Sequence, residues 1–268
     1  KNKIMKKQKI CIIGGSLTGL VTAASLSKLN CEIDLVTGNL VKNFRSNRTI
    51  AISENNFDFI NKLNISKILK KEIWTCSDMK LYTEVKKEKF SEIFKLNKEN
   101  KNVFYILENL KIMNLMMKKI KNIKSISLIK NETVSSIFNS GLLKAIKFKN
   151  NISKYNLIII CTGHNSALIK NIFNDKIIQN PYKEIAITTI LEHKELKNNI
   201  ARQIFLDHSI FAMLPISKKK TSVVWSIKDS MKIKSDSFFK EKIKLYASNY
   251  LKKIKFNSSL EKKDLNLL

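Results

Sequence analysis

Ile13-Gly14-Gly15-Ser16-Leu17-Thr18-Gly19 is the stretch whose reading decides the fold. A short apolar run, residues 9–13, precedes it, and residues 20–29 after it carry apolar side chains at helical spacing. Residues 32–36 then read as a second short strand, ending at Thr37-Gly38. The order strand, glycine-rich turn, helix, strand within about 30 residues is that of a nucleotide-binding βαβ unit. The reason is physical. Glycine lets the backbone turn tightly and approach a diphosphate, and the helix behind it offers free N–H groups and the positive end of its dipole. Against the pattern G-x-G-x-x-G, Gly14 and Gly19 match the first and third glycines, and Ser16 replaces the second. Gly15 and Leu17 complete the candidate phosphate-binding bend. Such units also place an acidic residue at the end of the second strand, for a ribose hydroxyl. Thr37 stands there instead, where its hydroxyl can accept a hydrogen bond.

Working outward, residues 48–53 read as extended and 54–63 as a helix. Strands are expected at 79–85 and 103–107, the second leading into a helix over 108–120. Further strands are expected at 125–129, 134–138, 142–148 and 155–161, with a hairpin turn at Asn139-Ser140-Gly141. A short helix follows over 167–173. From residue 182 to 227 the pattern changes to successive strands, and residues 238–254 read as an amphipathic helix. An α/β part therefore precedes a β-rich part, and no internal repeat recurs.

The chain has 268 residues and a formal net charge of +28. Taken alone, that charge suggests nucleic acid or an anionic membrane. The residue types argue otherwise. Only Arg45, Arg48 and Arg202 are arginines against 47 lysines, and 39 Ile and 29 Asn are similarly inflated. That is the bias of AT-rich codons, whereas nucleic-acid readers lean on the bidentate guanidinium. No nucleic-acid partner is expected, while weak attraction to an anionic bilayer fits the lysines. Four cysteines without a C-x-x-C pair read as thiols in a reducing, cytoplasmic compartment. His164, His193 and His208 suit no metal motif, so no metal is expected.

Five stretches, in order, resemble the FAD-dependent aromatic-ring hydroxylases of ubiquinone biosynthesis, within the flavin monooxygenase superfamily. The first is the glycine bend. Asn47-Arg48-Thr49-Ile50-Ala51-Ile52-Ser53 is similar to that family's D-x-R-x-x-A-L-S, and Tyr105-Ile106-Leu107-Glu108-Asn109 to its Y-x-x-E-N. Cys161-Thr162-Gly163-His164-Asn165-Ser166-Ala167-Leu168 resembles A-D-G-x-x-S-x-x-R, with Thr162 in place of the acid and Ile169 in place of the arginine. The fifth runs from Tyr182 through Ala201-Arg202-Gln203-Ile204-Phe205 and Met213-Leu214-Pro215 to Val223-Val224-Trp225.

The resemblance implies a Rossmann-like FAD-binding domain interleaved with a β-sheet substrate domain. Residues 5–70 and 100–180 would form the first, and 71–99 and 181–268 the second. It implies FAD as cofactor and NAD(P)H as co-substrate, and O2 as the source of an oxygen atom placed on an aromatic, polyprenylated ring. Peripheral contact with the inner membrane would follow from such a substrate. Cofactor contacts would come from Gly14, Gly15, Ser16, Leu17, Gly19, Thr37, Arg48, Asn109, Thr162 and Gly163. No catalytic residue is assigned by motif. The family's G-D/N-A-A-H segment has no counterpart before Leu268, so a C-terminally truncated chain is expected. The alternative is a non-catalytic relative that binds a nucleotide or a partner protein.

Overall fold

A computed structural model describes residues 7–38, 48–63, 73–98, 101–163, 166–173 and 180–267. In chain order the elements are β1 (Gln8–Ile13), α1 (Leu17–Leu26), β2 (Cys31–Gly38), β3 (Thr49–Ile52), α2 (Glu54–Lys62), β4 (Trp74–Cys76), β5 (Asp78–Lys86) and β6 (Lys89–Asn97). Next come β7 (Phe104–Glu108), α3 (Asn109–Ile120), β8 (Ile126–Lys130), β9 (Ser136–Ser140), β10 (Leu143–Lys147), β11 (Ile152–Tyr155) and β12 (Leu157–Ile160). Last are α4 (Ala167–Phe173), β13 (Asn180–Glu192), β14 (Ile200–Leu206), β15 (Ser209–Ser217), β16 (Lys220–Lys228), α5 (Asp236–Ala247), β17 (Lys255–Phe256) and β18 (Glu261–Leu267). A short 3₁₀ turn, Asp229–Ile233, links β16 to α5. The α/β class is as the sequence predicts.

The chain divides into two compact units. The first holds residues 1–44 and 112–178, and the second residues 45–111 and 179–267. In the first unit β12-β1-β2-β8 form a wholly parallel sheet. The apolar runs of its two central strands, β1 and β2, are buried on both faces, as parallel sheets favour. Ile12, Ile33 and Leu35 are almost fully buried, each stabilising by roughly 1.5–3 kcal/mol relative to exposure. An antiparallel sheet, β11-β10-β9, packs its Ile146 and Tyr155 on Cys11, Ile13 and Val36 of this core.

One apolar run, residues 155–161, is predicted as a single strand and is two. Asn156 breaks it: its N–H donates to the Lys9 carbonyl and its side-chain oxygen accepts from the Lys9 N–H, both at 2.8 Å. That double clamp hands the chain from the antiparallel sheet to the parallel one.

In the second unit a large sheet runs β17-β13-β16-β15-β14-β5-β6, with β18 also pairing β13. Helix α5 lays Phe239, Ile243 and Ala247 on it, against Phe211 and Trp225. Trp225 meets Phe211, Phe239 and Tyr246 edge to face at 5.7–6.1 Å, the arrangement ring quadrupoles favour. Ser235 caps the helix by accepting from the Phe238 N–H. The sequence predicts this helix to residue 254, but it ends at Ala247. Tyr250 and Leu251 keep an apolar rhythm because the chain beyond still lies on the same core.

β3, β7 and β4 make their own antiparallel sheet. Trp74, Phe104 and Ile106 of it join Ala201 and Leu214 in a hydrophobic cluster. Among the described residues, 48–63 and 101–111 fall in the second unit with the large sheet. Among the described residues no helix is long and apolar enough to cross a membrane.

Candidate dinucleotide-binding site

All four strands of the parallel sheet point the same way, so the residues leaving β1, β2, β8 and β12 converge at one end. That end of an open α/β sheet is where ligands bind. A cavity of about 300 Å³ lies there, with Gly14, Thr37, Glu132, Thr162 and Ser166 in its wall.

Gly14 has φ 128°, in the region that side chains avoid, and its N–H donates to the Val36 carbonyl at 2.8 Å. A Cβ on Gly14 would meet the Cys161 carbonyl oxygen at 2.3 Å. A Cβ on Gly19 would meet the Gly14 carbonyl oxygen at 1.9 Å. Both glycines are thus required by backbone closeness. Ser16 begins α1 without capping it. Its hydroxyl donates instead to the Cys161 carbonyl at 3.1 Å, tying the bend to the end of β12. The first turn of α1 therefore carries no side-chain cap, and no acidic residue lies in it. Its N–H groups remain available to an anion.

Three of the residues named on sequence, Gly14, Thr37 and Thr162, line the cavity. Gly15, Ser16, Leu17 and Gly19 shape the bend, and Gly163 turns with φ 78° just after Thr162. Thr37 is buried, and its hydroxyl donates to the Ile129 carbonyl of β8 at 3.4 Å. Its proton is therefore used within the sheet. Thr162 Oγ1 is buried with no hydrogen-bond partner among the described residues. An orphaned hydroxyl costs about 1–3 kcal/mol unless something fills its need. The free helix terminus, the two obligatory glycines and this orphan together fit the diphosphate end of an adenine dinucleotide.

Arg48 and Asn109 belong to the second unit. There the structure brings them together: Thr49 pairs with Glu108, and the Asn109 N–H donates to the Arg48 carbonyl at 2.9 Å. Two stretches about 60 residues apart in sequence thus meet at the rim of one small sheet. Burial, then the Arg48 charge, lowers the pKa of Lys263. Of the histidines, His164 lies outside the described residues. His193 is buried, with Nε2 2.9 Å from the Thr221 hydroxyl and Nδ1 2.9 Å from the Lys194 carbonyl. It braces the β15–β16 hairpin. His208 occupies the exposed β14–β15 turn with φ 55°. Among the described residues no three His, Cys, Asp or Glu side chains gather where an ion could sit.

Sequence reasoning missed the loop after β8. Its signal was a polar stretch, Asn131-Glu132-Thr133, closing an apolar strand. Only the strand order places that stretch beside the end of β2.

No family model matches the sequence, and no curated protein matches it either. Solved structures do. p-Nitrophenol 4-monooxygenase PnpA from Pseudomonas putida superposes with TM-score 0.73 at 12% identity, over 97% of this chain and 68% of that one. The flavin-dependent halogenase CmlS gives 0.76 at 13% identity, over 97% and 50%. The flavin-dependent monooxygenase PieE gives 0.75 at 10% identity, over 98% and 50%. The chain thus spans from half to about two thirds of the length of these proteins. It has the fold of FAD-dependent monooxygenases, and the likeness reaches a halogenase as well.

Proposed function

We propose that the chain is an FAD-dependent monooxygenase acting on an aromatic ring, with NAD(P)H as reductant and O2 as oxidant. The observation that carries this reading is the cavity at the strand ends, walled by Gly14, Thr37, Glu132 and Thr162, next to the glycine bend that leads into α1. Bound FAD supplies hydride acceptance and oxygen activation. The chain's own residues hold and orient it. Gly14 and Gly19 would let the backbone reach the diphosphate, the first turn of α1 would donate N–H groups to it, and Thr162 would hold it through its hydroxyl. Arg48 and Asn109, joined at the β3–β7 rim, are assigned to the cofactor by motif.

Within this reading the substrate is a phenol of the ubiquinone type, which rests on the five ordered motifs. A polyprenyl tail would bring the protein to a bilayer. The exposed Lys218 and Lys219 of the β15–β16 turn suit an anionic surface.

The test is direct. Purified protein is incubated with FAD and desalted, and flavin absorbance is measured. NADH or NADPH oxidation is then followed with and without simple phenols. Retained flavin and phenol-stimulated oxidation support the enzyme. Retained adenine nucleotide without oxidation favours the non-catalytic relative, which the use of the Thr37 hydroxyl inside the sheet would suit.

A further inference from the structure

The β2 strand ends without the carboxylate that holds a ribose in βαβ nucleotide sites, and Thr37 turns its proton toward β8. The neighbouring strand compensates. β8 runs parallel to β2, with Val36 opposite Ile129 and Gly38 opposite Lys130 after a register shift. The two strands therefore end at the same level. Asn131 follows with φ 59°, a left-handed conformation that asparagine tolerates, and donates its N–H to the Gly38 carbonyl at 3.2 Å. That bond folds the loop back over the end of β2 and sets Glu132 in the wall of the cavity shared by Gly14, Thr37 and Thr162.

Glu132 is half-buried. Among the described residues it makes no hydrogen bond or ion pair, in a chain where lysines outnumber acids by two to one. Asp34, by contrast, is held by Lys9 and Tyr155, and Asp78 by Lys95 and Asn97. A half-buried carboxylate left without a partner in the wall of this cavity is placed to accept from a ligand that donates.

We propose that Glu132 supplies, from the loop after β8, the carboxylate that β2 lacks, and accepts hydrogen bonds from the ribose hydroxyls of the adenosine. The assignment rests on the adenine-dinucleotide reading of this cavity. It also sets a specificity: a ribose carrying a 2′-phosphate meets a negative charge and is rejected.

The experiment uses the full chain and calorimetric titration with ADP, 2′,3′-dideoxy-ADP and adenosine 2′,5′-diphosphate. Wild type is expected to bind ADP roughly tenfold or more tightly than the dideoxy nucleotide, the scale of a hydrogen bond to a charged group. Glu132→Gln and Glu132→Ala should bring ADP down to the dideoxy level, leave the dideoxy affinity unchanged, and improve the 2′-phosphorylated nucleotide relative to ADP. Thermal unfolding of the ligand-free variants should match wild type. Wild type that binds ADP, with variants that keep its full hydroxyl preference, overturns the role of Glu132 and leaves the nucleotide site standing. Wild type that binds none of the three overturns both.

Discussion

Gly19 lies so close to Gly14 that a Cβ on it would sit 1.9 Å from the Gly14 carbonyl oxygen. The first turn of α1 therefore rests on the bend leaving β1, and helix and strand lock at the point where a diphosphate would approach. Gly19→Ala should force the helix away. The expected cost is about 1–3 kcal/mol, the range for overpacking, with loss of nucleotide binding. Gly141→Ala is the control. Gly141 has φ 63°, and a Cβ there would meet nothing within 4 Å. Only backbone strain of about 1–2 kcal/mol applies, and binding should persist. Denaturant melts and ADP titration separate the two.

Thr162 carries a buried hydroxyl oxygen without a described partner. Thr162→Val removes it at nearly constant shape. Ligand-free stability should stay level or rise by about 1 kcal/mol, whereas nucleotide affinity should fall several-fold. A merely structural threonine would lose stability and leave affinity alone. Melting curves with and without ADP decide it.

Asp78 in the second unit accepts from Ser77 and Asn97 and pairs with Lys95 at 3.4 Å. The Ser77 hydrogen bond first, then Asn97, holds its carboxyl below the usual range. A depressed folded pKa stabilises at pH values above the unfolded one and is lost as pH falls through the folded one. Asp78→Asn should therefore cost about 1–2 kcal/mol near neutrality. The gap to wild type should close as pH drops below roughly 4, the ordinary aspartate value. Urea titrations across pH measure it.

Cys11 and Cys76 are buried, and burial pushes both thiols up to about 12. The thiolate is the reactive form. Both cysteines should therefore escape maleimide at a pH of about 8, below the ordinary thiol value, and react once guanidinium unfolds the chain. Peptide mapping by mass spectrometry reads the labelled positions.

Much of the α/β part was legible because its signals are local. The apolar run before Gly14, the spacing in α1 and the Ala167–Phe173 helix each follow from neighbouring residues. β6 was not foreseen, because an edge strand exposing Ile93 and Phe94 shows no clean alternation. The break at Asn156 depends on Lys9, which is 147 positions away. The site divides in the same manner. The glycines announce themselves through backbone need. Glu132 reaches the cavity only through the parallel pairing of β8 with β2 and the Asn131–Gly38 bond, neither of which a linear reading contains.

The most direct measurement is calorimetric titration of the purified chain with ADP, repeated on Gly19→Ala. Saturable one-to-one binding is expected, displaced by FAD and lost in the variant. Absence of binding at millimolar ADP, or equal binding by Gly19→Ala, would contradict a diphosphate cradle at the glycine bend.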